Sequence, residues 1–289
     1  MLVFARWVQW VKTGVASVYV ERAIRFYKRG CFREALDGLS AAICLDPHSA
    51  CAFLNRGIVY AELGNLEQAI VDFDRAIAID SDNAKAFNNR GLAHGLAGRH
   101  EAALADFECA LSLDSSNPQF YNNRGNAYCR LEQWRKAIPD YDRALALSPK
   151  NACFYNNRGN CYCDLEYYKQ ALEDYMKAAS LNPNDATIHR NCGLAYLKFG
   201  EYELAVESYN KAIGLIAHLK SEDASTFVNR GMAFIRLCRY VEALEDFSKA
   251  ILLNGRYVKA YLGRAAVYEA IGEMEKAAGD RLTAFRLES

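Results

Sequence analysis

The chain has 289 residues, with 35 basic and 35 acidic side chains and a formal net charge of zero. That balance argues against a nucleic-acid binder, which would carry a basic excess. Ten cysteines lie inside helical patterns rather than at loop-bounded spacings, so reduced thiols in a cytoplasmic setting fit better than a disulfide framework.

In chain order, the first segment is the odd one. Residues 1–33 carry a net charge of +6, from Arg6, Lys12, Arg22, Arg25, Lys28, Arg29 and Arg33 against Glu21, which leaves −6 for the remainder. Leu2, Val3, Phe4, Trp7, Val8, Trp10, Val11 and Val15 give residues 1–15 a broad apolar helix face. Arg6, Gln9 and Lys12 interrupt it before it reaches the run of about 18 apolar residues that a bilayer span needs. Three readings stay open: a capping helix over the first hydrophobic edge that follows, a basic targeting or membrane-surface segment (a mitochondrial one included), or a start left by truncation of a longer array.

From residue 16 onward the chain repeats. Asn55-Arg56-Gly57, Asn89-Arg90-Gly91, Asn123-Arg124-Gly125 and Asn157-Arg158-Gly159 recur every 34 residues; Asn191-Cys192-Gly193 follows at the same interval and Asn229-Arg230-Gly231 after 38. With the glycine at repeat position 8, the windows are 16–49, 50–83, 84–117, 118–151, 152–185, 186–223, 224–257 and 258–289. Positions 20 and 27 are alanine in every window, from Ala35 to Ala277 and from Ala42 to Ala284. Position 11 is aromatic except at His94, and position 24 is bulky from Leu39 through Phe73, Phe107, Tyr141, Tyr175, Tyr209 and Phe247. Small columns let two helices approach closely while the rings fill the seams, and a hairpin of this kind buries its apolar face only by stacking on neighbours. Gly64, Gly98, Gly200 and Gly272 at position 15, and Pro47, Pro149 and Pro183 at position 32, mark the turns between helices.

Three departures carry expectations. The sixth window is four residues longer, through Leu215–Asp223, which implies an extra helical turn or a longer loop. Pro139 falls inside a second helix and is expected to kink it, on the solvated side. Arg281 replaces the ring at position 24 of the last window and reads as a polar C-terminal cap.

Position 7 is arginine in seven windows and position 23 is acidic in six. We expect partly buried, charge-assisted pairs between helices, within a repeat or between neighbours, formed by Arg56, Arg90, Arg124, Arg158 and Arg230 with Asp72, Asp106, Asp140, Asp174 and Asp246. The alternative is that duplication alone preserved two solvent-facing columns.

The glycine, alanine and ring columns resemble those of the tetratricopeptide repeat family over about residues 16–289, whereas position 7, often leucine in that family, is arginine here. The resemblance implies an all-α fold, a right-handed α-solenoid of about eight helix-turn-helix repeats, whose first helices line a concave groove. It also implies that position 6 points into that groove: Asn55, Asn89, Asn123, Asn157, Asn191 and Asn229. The column looks like the asparagine ladder of the repeat superhelix in O-linked N-acetylglucosamine transferases, which grips peptide backbone. Asparagine is a poor helix-interior residue, so local propensity does not account for it. A side-chain amide both donates and accepts, as an extended peptide unit does. Asn88, Asn122 and Asn156 at position 5, with Asn126 and Asn160 at position 9, make repeats 3–5 the richest stretch, flanked by Lys85, Gln119, Arg130 and Asp164. The column equally fits a family habit without a ligand, or amides that cross-link adjacent helices. The family's carboxylate clamp for chaperone tails is not matched, since no position 5 is lysine and no position 6 is arginine.

The five histidines are scattered, and Cys161 and Cys163, two apart on a helix, do not face one another. No metal site, cofactor site or phosphate loop is readable. The leading expectation is a non-enzymatic adaptor presenting its groove to an extended segment of a protein partner. A membrane-associated receptor tethered through residues 1–20 is the alternative, and a regulatory array for a separate catalytic chain is the third.

Overall fold

A computed structural model describes residues 2–216 and 223–288, and of residues 2–11 only the backbone. The described residues form helices without strands, and the chain divides into two compact units, Met1–Pro149 and Lys150–Ser289. The first unit holds α1 (Leu2–Lys28), α2 (Phe32–Leu45), α3 (Ala50–Glu62), α4 (Leu66–Ile79), α5 (Ala84–Leu96), α6 (His100–Leu113), α7 (Pro118–Arg130) and α8 (Trp134–Leu147). The second holds α9 (Ala152–Asp164), α10 (Tyr168–Leu181), α11 (Ala186–Phe199), α12 (Tyr202–Ile216), α13 (Ala224–Arg236), α14 (Tyr240–Leu253), α15 (Val258–Ala270) and α16 (Met274–Glu288). Each repeat is one hairpin, and within a unit each second helix packs on the first helix of the next repeat. The result is an all-α array of helical repeats.

The close approach inside a hairpin rests on one pair of columns. A Cβ built on Gly57 would lie 2.6 Å from the Phe73 ring, and the same test gives 2.8 Å for Gly91 on Phe107, 2.9 Å for Gly125 on Tyr141 and 2.7 Å for Gly159 on Tyr175. The ring at position 24 therefore occupies the space that any side chain at position 8 would need. The two repeats without a ring there confirm the logic: Leu39 is accompanied by Ala23, and Arg281 by Ala265. Alanines at positions 20 and 27 are fully buried throughout.

The turn between the helices of a repeat is equally regular. Position 15 takes a left-handed backbone in every repeat, and the amide after it donates to the carbonyl of position 11, as Asn65 does to Tyr60 and Gln133 to Tyr128. Glycine fills this position five times, but Glu132, Glu166 and Cys238 hold it at φ 57°, 63° and 57°. At the other end, the last residue of a repeat caps the helix that follows: the side chains of Ser49, Asn83, Asn117, Asn151, Asp185 and Asp223 each accept from a backbone amide of the first turn.

Several expectations change. The backbone of residues 2–15 continues without a break into the first helix of repeat 1. The apolar face from Leu2 to Val11 and the charge of Arg6 lie outside the described side chains. The extension of the sixth repeat falls mainly on residues 217–222, also outside the described residues. Helix α8 runs through Pro139, which is exposed, so the lost backbone bond faces solvent. Arg281 is exposed and paired with Glu269 at 2.7 Å, yet Leu282 and Phe285 on the same helix are 50% and 69% exposed. The outer surface of α16 is thus only partly polar.

Candidate functional site

The arginine and aspartate columns meet inside each repeat. Nε and Nη2 of Arg56 donate to the two carboxylate oxygens of Asp72 at 2.7 and 2.8 Å. Arg90 with Asp106, Arg124 with Asp140, Arg158 with Asp174, Arg230 with Asp246 and Arg264 with Asp280 repeat this two-bond geometry. The aspartates are buried. The free edge of the guanidinium often reaches the preceding repeat, from Arg56 to Ser40, Arg90 to Asp74, Arg230 to Asn210 and Arg264 to Ser248. Rings at positions 4 and 11 lie near it, as Tyr155 and Tyr162 do with centres 5.8 and 5.9 Å from the Arg158 guanidinium. Hydrogen bonds to the aspartates raise Arg56, Arg90, Arg124 and Arg264 above the usual guanidinium range, against the opposing effect of burial. These contacts tie helices together and leave no acid or base poised for chemistry.

The asparagines divide into groups. Asn88 and Asn122, expected in the groove, are buried instead. Nδ2 of Asn123 donates to Oδ1 of Asn88 at 2.8 Å, joining α7 to α5, and Nδ2 of Asn191 donates to Asn156 and Asn160 at 3.0 and 3.1 Å, joining α11 to α9. Asn126 and Asn160 accept from the hydroxyls of Tyr141 and Tyr175 at 2.7 and 2.8 Å. These amides therefore serve the array, which is the cross-linking alternative at those positions. Asn55 and Asn89 fold back on their own helices, donating to the carbonyls of Cys51 and Lys85, and Nδ2 of Asn157 lies 3.7 Å from Cys153 Sγ. Asn229 is half-buried, and among the described residues its amide has no hydrogen-bond partner.

Three cavities open along the first helices. In the first unit one of about 470 Å³ is lined by Leu92, Leu96, His100, Asn123, Asn126 and Arg130, and a smaller one of about 230 Å³ by Ile58, Glu62, Asn89 and Leu96 among others. The largest of the three, about 650 Å³, lies in the second unit between the first helices of repeats 6, 7 and 8. Leu194, Leu197, Met232, Ile235 and Leu262 give it an apolar floor, and Asn229, Lys198, Arg236 and Lys259 its polar groups. Met232 and Leu262 are nearly half exposed. The asparagine count pointed to repeats 3–5, which fall in two separate units, and so passed over this place. The signal was present in the sequence: position 13 is basic in two consecutive repeats, at Lys198 and Arg236.

Among the described residues no cluster of histidine, cysteine or carboxylate side chains is arranged to hold a metal ion, and no helix is long and apolar enough to cross a membrane. Among the described residues no disulfide joins any of the ten cysteines. Burial pushes the Cys192 thiol up to about 12 and raises Cys163 as well, which leaves both as apolar filler rather than nucleophiles.

Family models described as "TPR repeat" match residues 59–98 and 159–200, and models described as "Tetratricopeptide repeat" match 84–117, 118–151 and 191–218. No curated protein sequence matches the chain. Among solved structures, YrrB, "a TPR protein with an unusual peptide-binding site", is 25% identical, with a TM-score of 0.51 over 61% of this chain and 91% of its own. A tetratricopeptide repeat protein from Parabacteroides merdae has a TM-score of 0.65 at 19% identity, over 87% of this chain and 98% of its own. Pseudomonas aeruginosa pilF has a TM-score of 0.63 at 22% identity, covering 73% and 94%. The last two likenesses are of fold alone.

Proposed function

The chain carries tetratricopeptide repeats, and from that premise we propose that it is a non-enzymatic interaction scaffold whose first-helix faces hold an extended peptide segment of a protein partner. One observation carries the reading: exposed apolar side chains of the first helices gather at cavities that also hold column-6 asparagines. Leu92 and Leu96 do so beside Asn89 and Asn123, and Met232 and Leu262 do so beside Asn229. An apolar floor supplies contact area, and an unspent amide such as that of Asn229 both donates to and accepts from a peptide unit. A net contribution of about 0.5–1.5 kcal/mol per hydrogen bond makes this a micromolar-class, exchangeable complex. The likeness to YrrB, described as having an unusual peptide-binding site, supports the same reading.

Proximity labelling with the full chain as bait tests it, comparing wild type with Asn89→Ala combined with Asn229→Ala. We expect the variant to keep its helical circular dichroism and to lose a defined subset of labelled proteins. An unchanged set in a folded variant counts against peptide capture by these faces.

A further inference from the structure

We infer that the cavity of repeats 6–8 selects an acidic segment that also carries a bulky apolar side chain, a partner chemistry that rests on the peptide-binding reading above. The polar groups at this cavity are of one sign. Lys198 near the end of α11, Arg236 at the end of α13 and Lys259 at the start of α15 all line it, and none of the described lining residues is acidic. All three cations are exposed, and among the described residues none forms an ion pair. Arg236 is also held in place, with its guanidinium 5.0 Å from the centre of the Tyr202 ring, another lining residue. A guanidinium stacked on a ring keeps its hydrogen-bonding edge free, and that edge matches a carboxylate with two parallel bonds.

The contrast with the other repeats gives the inference its direction. The arginines of column 7 in repeats 2–5, 7 and 8 are each paired with a buried aspartate, so they present no net charge to a partner. Column 13 reads Glu62, Leu96, Arg130 and Asp164 in repeats 2–5, and only in repeats 6 and 7 is it basic twice in succession, at Lys198 and Arg236. Asp164 lies near enough to Lys198 to feel its charge, but it is not paired with it and does not line the cavity. Around the cations, Met232, Leu262, Leu194, Leu197 and Ile235 offer an apolar surface that a charged peptide alone would leave wet. Acidic residues flanking a leucine, isoleucine, methionine or phenylalanine satisfy both parts. Such a segment would be steered toward the site by charge and anchored there by burial.

The test is selection from a random dodecapeptide library, fixed at both ends so that no free terminus is presented. The bait is the full chain as wild type, as Lys198→Gln with Arg236→Gln and Lys259→Gln, and as Met232→Ser with Leu262→Ser. All substituted side chains are exposed, and thermal melts establish that each variant is folded. On wild type we expect Asp and Glu to rise at least about twofold over the input next to an enriched large apolar residue, an enrichment that fades with added salt. The triple-glutamine variant loses the acidic enrichment but keeps the apolar one, and the serine variant does the reverse. A wild-type pool with apolar but no acidic enrichment, or with basic enrichment, overturns this inference and leaves the peptide-binding reading standing. A pool indistinguishable from the input overturns both.

Discussion

Tyr141, Tyr175 and Tyr209 occupy the same column and are almost completely buried, but they do not end alike. The first two donate to Asn126 and Asn160 at position 9, whereas in the sixth repeat that position is Leu194, and the Tyr209 hydroxyl is buried with no hydrogen-bond partner among the described residues. Repeats with phenylalanine at position 24 carry Ile58, Leu92 or Met232 at position 9, so the asparagine accompanies the hydroxyl rather than a ligand. A buried hydroxyl without a partner costs about 1–3 kcal/mol, and removing it leaves the ring packing intact. Tyr209→Phe should therefore leave stability unchanged or raise it, while Tyr175→Phe should lower it by about 1 kcal/mol, because the Asn160 acceptor is left behind. Urea denaturation of the two variants decides the matter, and a larger loss from Tyr209→Phe refutes this assignment. The columns themselves were legible from spacing. What spacing did not reveal is which asparagines are turned inward, because burial of Asn88 and Asn122 is set by the neighbouring repeat and not by their own.

At the level of single elements, each hairpin is delimited by two devices, a capping side chain before its first helix and a left-handed residue after it. The glycines at position 15 announced the turn in the sequence. The caps did not stand out, because Ser49, Asn83, Asn117, Asn151, Asp185 and Asp223 share a hydrogen-bonding role without sharing a residue type. Glu132, Glu166 and Cys238 show the opposite case, in which the repeat pattern imposes a left-handed backbone on residues that disfavour it. Glu132→Gly should raise stability by up to about 1 kcal/mol, the relief of backbone strain outweighing the extra freedom glycine has in the unfolded chain. Thermal unfolding measures it, and a fall in midpoint shows that the glutamate side chain contributes something other than strain. The continuity of α1 through residues 2–15 was not foreseeable from periodicity, since those residues match no repeat column.

For the molecule as a whole, eight copies of one hairpin made the fold class readable before any coordinates, because the same columns recur with the same spacing. Recognition is where the copies differ, and a repeat-averaged reading is blind to such differences. The recurring asparagines drew attention to repeats 3–5, while the cations Lys198, Arg236 and Lys259 gather at one cavity although neither of their columns is basic throughout. The central claim is that partners are held on the first-helix faces. A photo-reactive benzoylphenylalanine placed at Met232, on the first helix of repeat 7, should cross-link the full chain to a partner protein. The same group at Val241, 69% exposed on the second helix of that repeat, should not. Adducts at Val241 with none at Met232 would place the partner on the other face and contradict the claim.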